Sequence, residues 1–503
     1  MALPALSIWK VNTVLFTSPV FLFLFLPLLL LFAKMGSYLG PERLGAVLLV
    51  ASLGFYASWD LTSLVILCIL IGVNFWIATL ITLEESPLPR PILLALGIGL
   101  TLLPLLWFKY ADFLAGSVAY LLNIPYTANP TFIPPGISFY TFIQIAWLVS
   151  VYRGSVVPTD IMRHALFSSF FPCILSGPIV RYEQMGPQFD RLSGPDAERL
   201  ALGLSLFCVG MAKKVLLADN LAPLADAVFG AWAKGLPLAS CEAWLGALSY
   251  SCQLYFDFSG YTDMAIGLGL LCGRQLPENF ISPYKATGIV DFWRRWHITL
   301  GLWLRDFLYI PLGGNRAGKA RQYLNLFVTM LIGGAWHGAG WTFIVWGALH
   351  GAMLCINHAF RSAIKGSGAE RILALFPLRA LSIALTFFCL TLCWVFFRAE
   401  SLPHAASMLT CMFTGPWFET GPAGVEILPN NLVAHWYSLA ILPLSALLIW
   451  FFPCSHEIFT RRENVPSWLR FRFSGVWAVS IALLFVVSVL SLSDNQAFLY
   501  FQF

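Results

Sequence analysis

The sequence predicts an all-α, polytopic integral membrane protein, and three observations carry that reading. The chain has 503 residues, of which 58% are hydrophobic and only 11% charged, against roughly 25% charged in a soluble domain. Its mean hydropathy is +0.76. Long apolar runs recur from Val14 to a last helix near Val476 to Leu492. A spanning helix needs roughly 20 apolar residues, and about 11 to 13 runs qualify, several of them broken by Pro or Gly. Backbone polar groups in hydrocarbon must be satisfied within the segment, which selects helices over open sheets.

Taken in order, the first run, Val20 to Phe32, is followed by Lys34 with no small-residue cleavage site, so it reads as a helix of the mature protein. No soluble domain is evident. The longest polar stretches, Arg181 to Arg199, Arg361 to Arg371 and Phe413 to Asn431, are loop-sized. The chain therefore reads as one membrane-embedded domain over 1–503, with a core at about 130–360 and a C-terminal helix and tail at 474–503. From Asp257 to Gly351 the apolar runs shorten and carry polar residues, and Gly301 to Gly318 is too polar to face lipid. Irregular segments at membrane depth must line a cavity or be buried in protein, which predicts re-entrant or in-plane helices here. No internal repeat is visible, which weighs against a transporter.

The eleven cysteines form no CxxC pair, and Cys68, Cys208, Cys252 and Cys389 lie in apolar runs. They read as small core residues, not disulfides or metal ligands. Net charge is +5, and its distribution is uneven. Lys285, Arg294, Arg295, Arg305, Arg316, Lys319 and Arg321 face only Asp291 and Asp306 within one block. Basic loops tend to lie on the cytoplasmic side. A second basic loop, Arg461, Arg462, Arg470 and Arg472, precedes the last helix and places the tail on the opposite side.

Ionisable groups at membrane depth are functional by default. His337, in Gly333-Gly334-Ala335-Trp336-His337-Gly338, is the first candidate. A buried imidazole can take a proton from an attacking hydroxyl; the competing reading is a core histidine bonded to a carbonyl. His297 follows Trp293-Arg294-Arg295-Trp296. There the arginines suit phosphates and the tryptophans suit an interface or a stacked ring, while a positive-inside anchor at a helix end explains the arginines equally well. His350 and His358 stand eight apart on one helix face without a carboxylate or cysteine at ligand spacing, so a metal site is not expected. His164, His404, His435 and His456 look like loop or interface residues. Asp257 and Asp263 are read as helix caps or partners of nearby arginines before catalysis. Tyr500 is the one hydroxyl of the aromatic tail Phe498-Leu499-Tyr500-Phe501-Gln502-Phe503, which suits an interfacial belt or a segment docked in a cavity; a hydroxyl can carry an acyl group.

Several of these runs together resemble the membrane-bound O-acyltransferase superfamily, MBOAT. They are Leu254-Tyr255-Phe256-Asp257-Phe258-Ser259-Gly260-Tyr261-Thr262-Asp263, Glu278-Asn279-Phe280, Phe292-Trp293-Arg294-Arg295-Trp296-His297, Trp303-Leu304-Arg305-Asp306, Gly313-Gly314-Asn315-Arg316 and Gly334-Ala335-Trp336-His337-Gly338. The similarity runs nearly end to end and is strongest to the alginate and bacterial cellulose acetylation branches. The resemblance implies helices around a funnel and an O-acetyltransferase with His337 and His297 on the family's two histidines. Arg294, Arg295, Trp296, Arg305, Arg316 and Trp336 become the candidate substrate-binding residues. It implies acetyl-CoA as a cytoplasmic donor, no metal and no nucleic acid. The implied setting is a bacterial inner membrane, with membrane lipid, an SGNH-type acetyltransferase subunit in the periplasm or anchored in the membrane, and a polysaccharide synthase or export complex as partners. The tail resembles an aromatic motif that implies Tyr500 as an acetyl relay. Two further readings stay open: an acyltransferase for a lipid or cell-wall polymer, and a non-catalytic transporter or scaffold.

Overall fold

The computed structural model describes residues 14–129, 132–235, 238–373, 375–417, 427–461, 465–492 and 498–499, without the side chains of 427–435 and 461. Tyr500, Arg462 and the side chains of His435 and Arg461 therefore lie outside the described residues. Among those described, every regular element is a helix. Six are long and apolar enough to cross a membrane, including Leu61–Thr82, Trp341–Ile364 and Phe376–Arg398, and three apolar helices are shorter. Fewer spans stand out than the apolar runs suggest, because several runs are cut short; Pro41–Ala57, for example, has 17 residues. Large apolar side chains point outward from these helices: Trp76 is 63% exposed, with Phe23, Leu103 and Leu385 similar. Such a surface is stable only when lipid covers it.

The chain divides into two compact units, Met1–Phe207 with Thr262–Pro277, and Cys208–Tyr261 with Glu278–Phe503. In the first, the Asp60 carboxylate accepts from the Ser63 N–H at 2.6 Å and starts Leu61–Thr82. Helices there are joined by buried polar side chains. Asn74 donates to Gln144 at 2.5 Å, and Thr101 donates to Asn74 at 2.9 Å. With lipid outside, such interhelical bonds and close packing hold helices together where hydrophobicity cannot.

The second unit holds both candidate histidines. Ser240–Leu271 is a continuous helix of 32 residues, of which the part up to Tyr261 belongs to this unit. Asp257 and Asp263 thus lie inside one regular helix, not at caps, which corrects the sequence reading. Beyond it come three short elements: Ile289–Trp293, Ile298–Leu304 and a π-helical turn Arg305–Tyr309. Gly318–His337 and Trp341–Ile364 then pack face to face. A Cβ on Gly334 would lie 2.4 Å from the Phe343 carbonyl oxygen, and one on Gly347 2.5 Å from that of Met330. These glycines let two backbones touch, and that contact fixes the end of the helix carrying His337.

Candidate active site

His297 caps Ile298–Leu304 with φ 43° and ψ 53°, in the left-handed region. For a residue with a Cβ this costs about 1–2 kcal/mol, so the surroundings must hold it. Asn279 does so. Its Oδ1 accepts from the Thr299 N–H at 3.1 Å and from the Thr299 hydroxyl at 2.9 Å, and lies 3.1 Å from His297 Nδ1. The Asn279 carbonyl also accepts from the Ile298 N–H at 3.0 Å. A backbone N–H can only donate, so the Asn279 atom facing it is oxygen. His297 Nδ1 then carries the proton, and the lone pair of the neutral ring is on Nε2. The residue lies outside the six candidate spans, and burial pushes its imidazole down to about 3. The chain thus holds a neutral ring in a fixed orientation.

His337 ends its helix and is 4% exposed. Its ring centroid is 6.5 Å from that of His297. Trp336 and Trp346 lie at 5.0 Å and Phe397 at 5.3 Å. A Cβ on Gly338 would fall 2.2 Å from the Phe343 ring, so at this position the glycine admits an aromatic side chain.

His350 belongs to the same cluster. It is fully buried, 4.4 Å from Trp346 between centroids, and its Nδ1 accepts from the Trp293 indole N–H at 3.2 Å. Pairing it with His358 missed this, because the link runs through Trp293 on another element. His164 and His456 are buried, not loop or interface residues; His164 stacks on Trp147 at 3.7 Å. His404 is half-buried on Leu402–Thr414.

The basic block separates into two kinds of residue. Arg295 pairs with Asp291 at 2.8 Å and Arg305 with Asp306 at 2.6 Å. Arg294 and Arg316 are exposed. Lys285 is bonded to the Phe452 carbonyl at 2.6 Å. Trp296 is buried, with Phe292 and Tyr284 stacked on it at 5.5 and 5.9 Å. Trp336 is buried as well, beside both histidines.

Asp257 pairs with a lysine, not with an arginine as expected. Lys214 Nζ lies 2.7 Å from Asp257 Oδ1 and 2.7 Å from Asp219 Oδ1. Sequence reading passed over Lys214, although a lysine inside the apolar run 197–233 is itself the signal. Asn279 had no comparable signal: it entered only as part of a motif. Phe498 and Leu499 are buried in this unit, Phe498 stacking on Tyr261 at 4.4 Å.

Comparison with known proteins matches this architecture. A match to the family described as MBOAT, membrane-bound O-acyltransferase family, covers residues 137–397 and includes both histidines and Asn279. The chain belongs to the membrane-bound O-acyltransferase family. It is 36% identical to a peptidoglycan O-acetyltransferase of Helicobacter pylori, over 99% of each chain. It is 38% identical to a probable alginate O-acetylase AlgI of Pseudomonas putida, over 97% of this chain and all of that one. A teichoic acid D-alanyltransferase of Streptococcus thermophilus is 30% identical over 47% of this chain and 59% of its own. As an MBOAT protein the chain is a multi-pass membrane acyltransferase that uses an acyl donor, and the transporter or scaffold reading falls away.

Proposed function

We propose that this MBOAT protein is an O-acetyltransferase that moves acetyl groups from cytoplasmic acetyl-CoA across the bacterial inner membrane to an exopolysaccharide of the alginate or cellulose kind. His337 is the general base and His297 its partner in the transfer centre. The carrying observation is the pair of buried rings 6.5 Å apart. Two hydrogen bonds in series span roughly 6 Å, close to the separation of the two rings.

His337 takes the hydroxyl proton as the oxygen attacks the thioester carbonyl. The O–C bond forms, the C–S bond breaks, and the proton passes to the departing CoA sulfur. The acceptor is Tyr500, whose acetyl ester is then exchanged onto a polymer hydroxyl by a partner of the SGNH type within the synthase or export assembly. Arg294 and Arg316, exposed and basic, suit CoA phosphates; Arg295 and Arg305 act with their carboxylates in the same block. Trp296 and Trp336 shape the wall behind the histidines.

A second reading is favoured by the Helicobacter relative, which is named a peptidoglycan O-acetyltransferase: the same chemistry directed to a cell-wall polymer. Membrane vesicles of both orientations, given radiolabelled acetyl-CoA outside, test the proposal. Label should enter ester only when the cytoplasmic face is outward, and should appear in secreted polysaccharide. Label in peptidoglycan selects the second reading, and incorporation from the periplasmic face rejects the cytoplasmic donor.

A further inference from the structure

The ion cluster Lys214, Asp219 and Asp257 takes no part in that transfer step, yet all three are buried or nearly so. A cluster of this kind gains little stability over apolar packing, so it calls for a use. Asp257 is 1% exposed, and its two oxygens have different partners. Oδ1 receives Lys214 at 2.7 Å. Oδ2 accepts from the backbone N–H of Leu499 at 3.0 Å, a residue 242 positions away.

The side chains beside this bond lead to the histidine. Phe498 stacks on Tyr261 at 4.4 Å and meets Phe258 edge-on at 6.0 Å. Phe258 in turn meets the His297 ring edge-on at 4.8 Å. We propose that Asp257, held in place by Lys214, is the receptor for the backbone of the aromatic segment at Phe498–Leu499 and positions that segment beside His297.

The physical need is specific. Apolar contact is non-directional and lets an aromatic segment slide or partition elsewhere in lipid. A buried N–H without a partner is costly, and one bonded to a carboxylate is among the stronger hydrogen bonds. The bond therefore sets which residue of the segment lies at the helix. Lys214 makes an acceptor carboxylate tolerable at this depth, because a charge there must be paired. Asp257 is thus a positioning residue, acting on the acyl carrier and not on the acyl group. Its importance for turnover rests on the Tyr500 reading above, while the docking itself does not.

Hydrogen exchange by mass spectrometry on the full chain in detergent separates the two. Leu499→Pro removes the donor and leaves the ion cluster and both histidines untouched. Asp257→Ala removes the acceptor, and Asp257→Glu restores a carboxylate. The peptide spanning 493–503 should exchange at least about tenfold faster in Leu499→Pro and Asp257→Ala than in the wild type, with partial recovery in Asp257→Glu. Peptides containing His337 should be unchanged in Leu499→Pro. Wild-type protection of the segment in a folded Leu499→Pro protein overturns the proposal; should Asp257→Ala fail to fold, Leu499→Pro alone decides. Release of the segment with acetylation intact supports the docking and removes Tyr500 as carrier. Loss of acetylation with the segment still protected overturns the docking and leaves the carrier reading standing.

Discussion

His297 is held in left-handed backbone as the Oδ1 of Asn279 gathers three donors from His297 and Thr299. Removing that oxygen frees the ring to turn while leaving its chemistry intact. Asn279→Ala should therefore lower the transfer rate by about tenfold or more, mostly in kcat and with KM little changed, since misplacement of a catalytic group acts on the transition state. A steady-state comparison checks this, and an unaltered kcat shows that the clamp does not matter. Both histidines stand out in the sequence, each directly after a tryptophan, and His337 also before a glycine. The clamp does not: Asn279 lies 18 residues before His297, and only the fold joins them. His350 was hidden for the same reason, its partner Trp293 being 57 residues away.

At the scale of elements, the end of Gly318–His337 is placed by its contact with Trp341–Ile364. Gly347→Ala would push a methyl against the Met330 carbonyl, which is backbone and has no rotamer to escape into. Overpacking of this kind costs about 1–3 kcal/mol. Thermal unfolding in detergent should show a lower Tm and weaker transfer; an unchanged Tm means the helices part without penalty. The short helices at 289–309 were legible as a polar interruption of the apolar pattern. The helix Ser240–Leu271 was not, because Asp257 and Asp263 break that pattern too. The difference lies in where the charge goes: Asp257 is met by Lys214 inside the protein, so the helix has no reason to end there.

For the whole molecule, the membrane class followed from composition alone, while the number of spans did not, since an apolar run says nothing about where its helix stops. The sidedness drawn from the basic block can be measured. A cysteine replacing the exposed Arg316, in a chain stripped of other reactive thiols, should react with an impermeant probe only from the cytoplasm; reaction only from the periplasm reverses the donor side. Tyr500→Phe keeps the ring and loses one oxygen, so it should abolish polymer acetylation in a protein of normal abundance if that oxygen carries the acetyl group, and leave it intact if the tail is an interfacial belt. The most direct measurement concerns the transfer centre itself. The acetyl ester content of the polymer is determined in cells whose only copy carries His337→Ala, together with the amount of protein in the membrane. With His337 as general base, acetylation falls by about 10² to 10⁴ at normal abundance. Wild-type acetylation by a normally abundant mutant contradicts a catalytic role for the buried histidine pair.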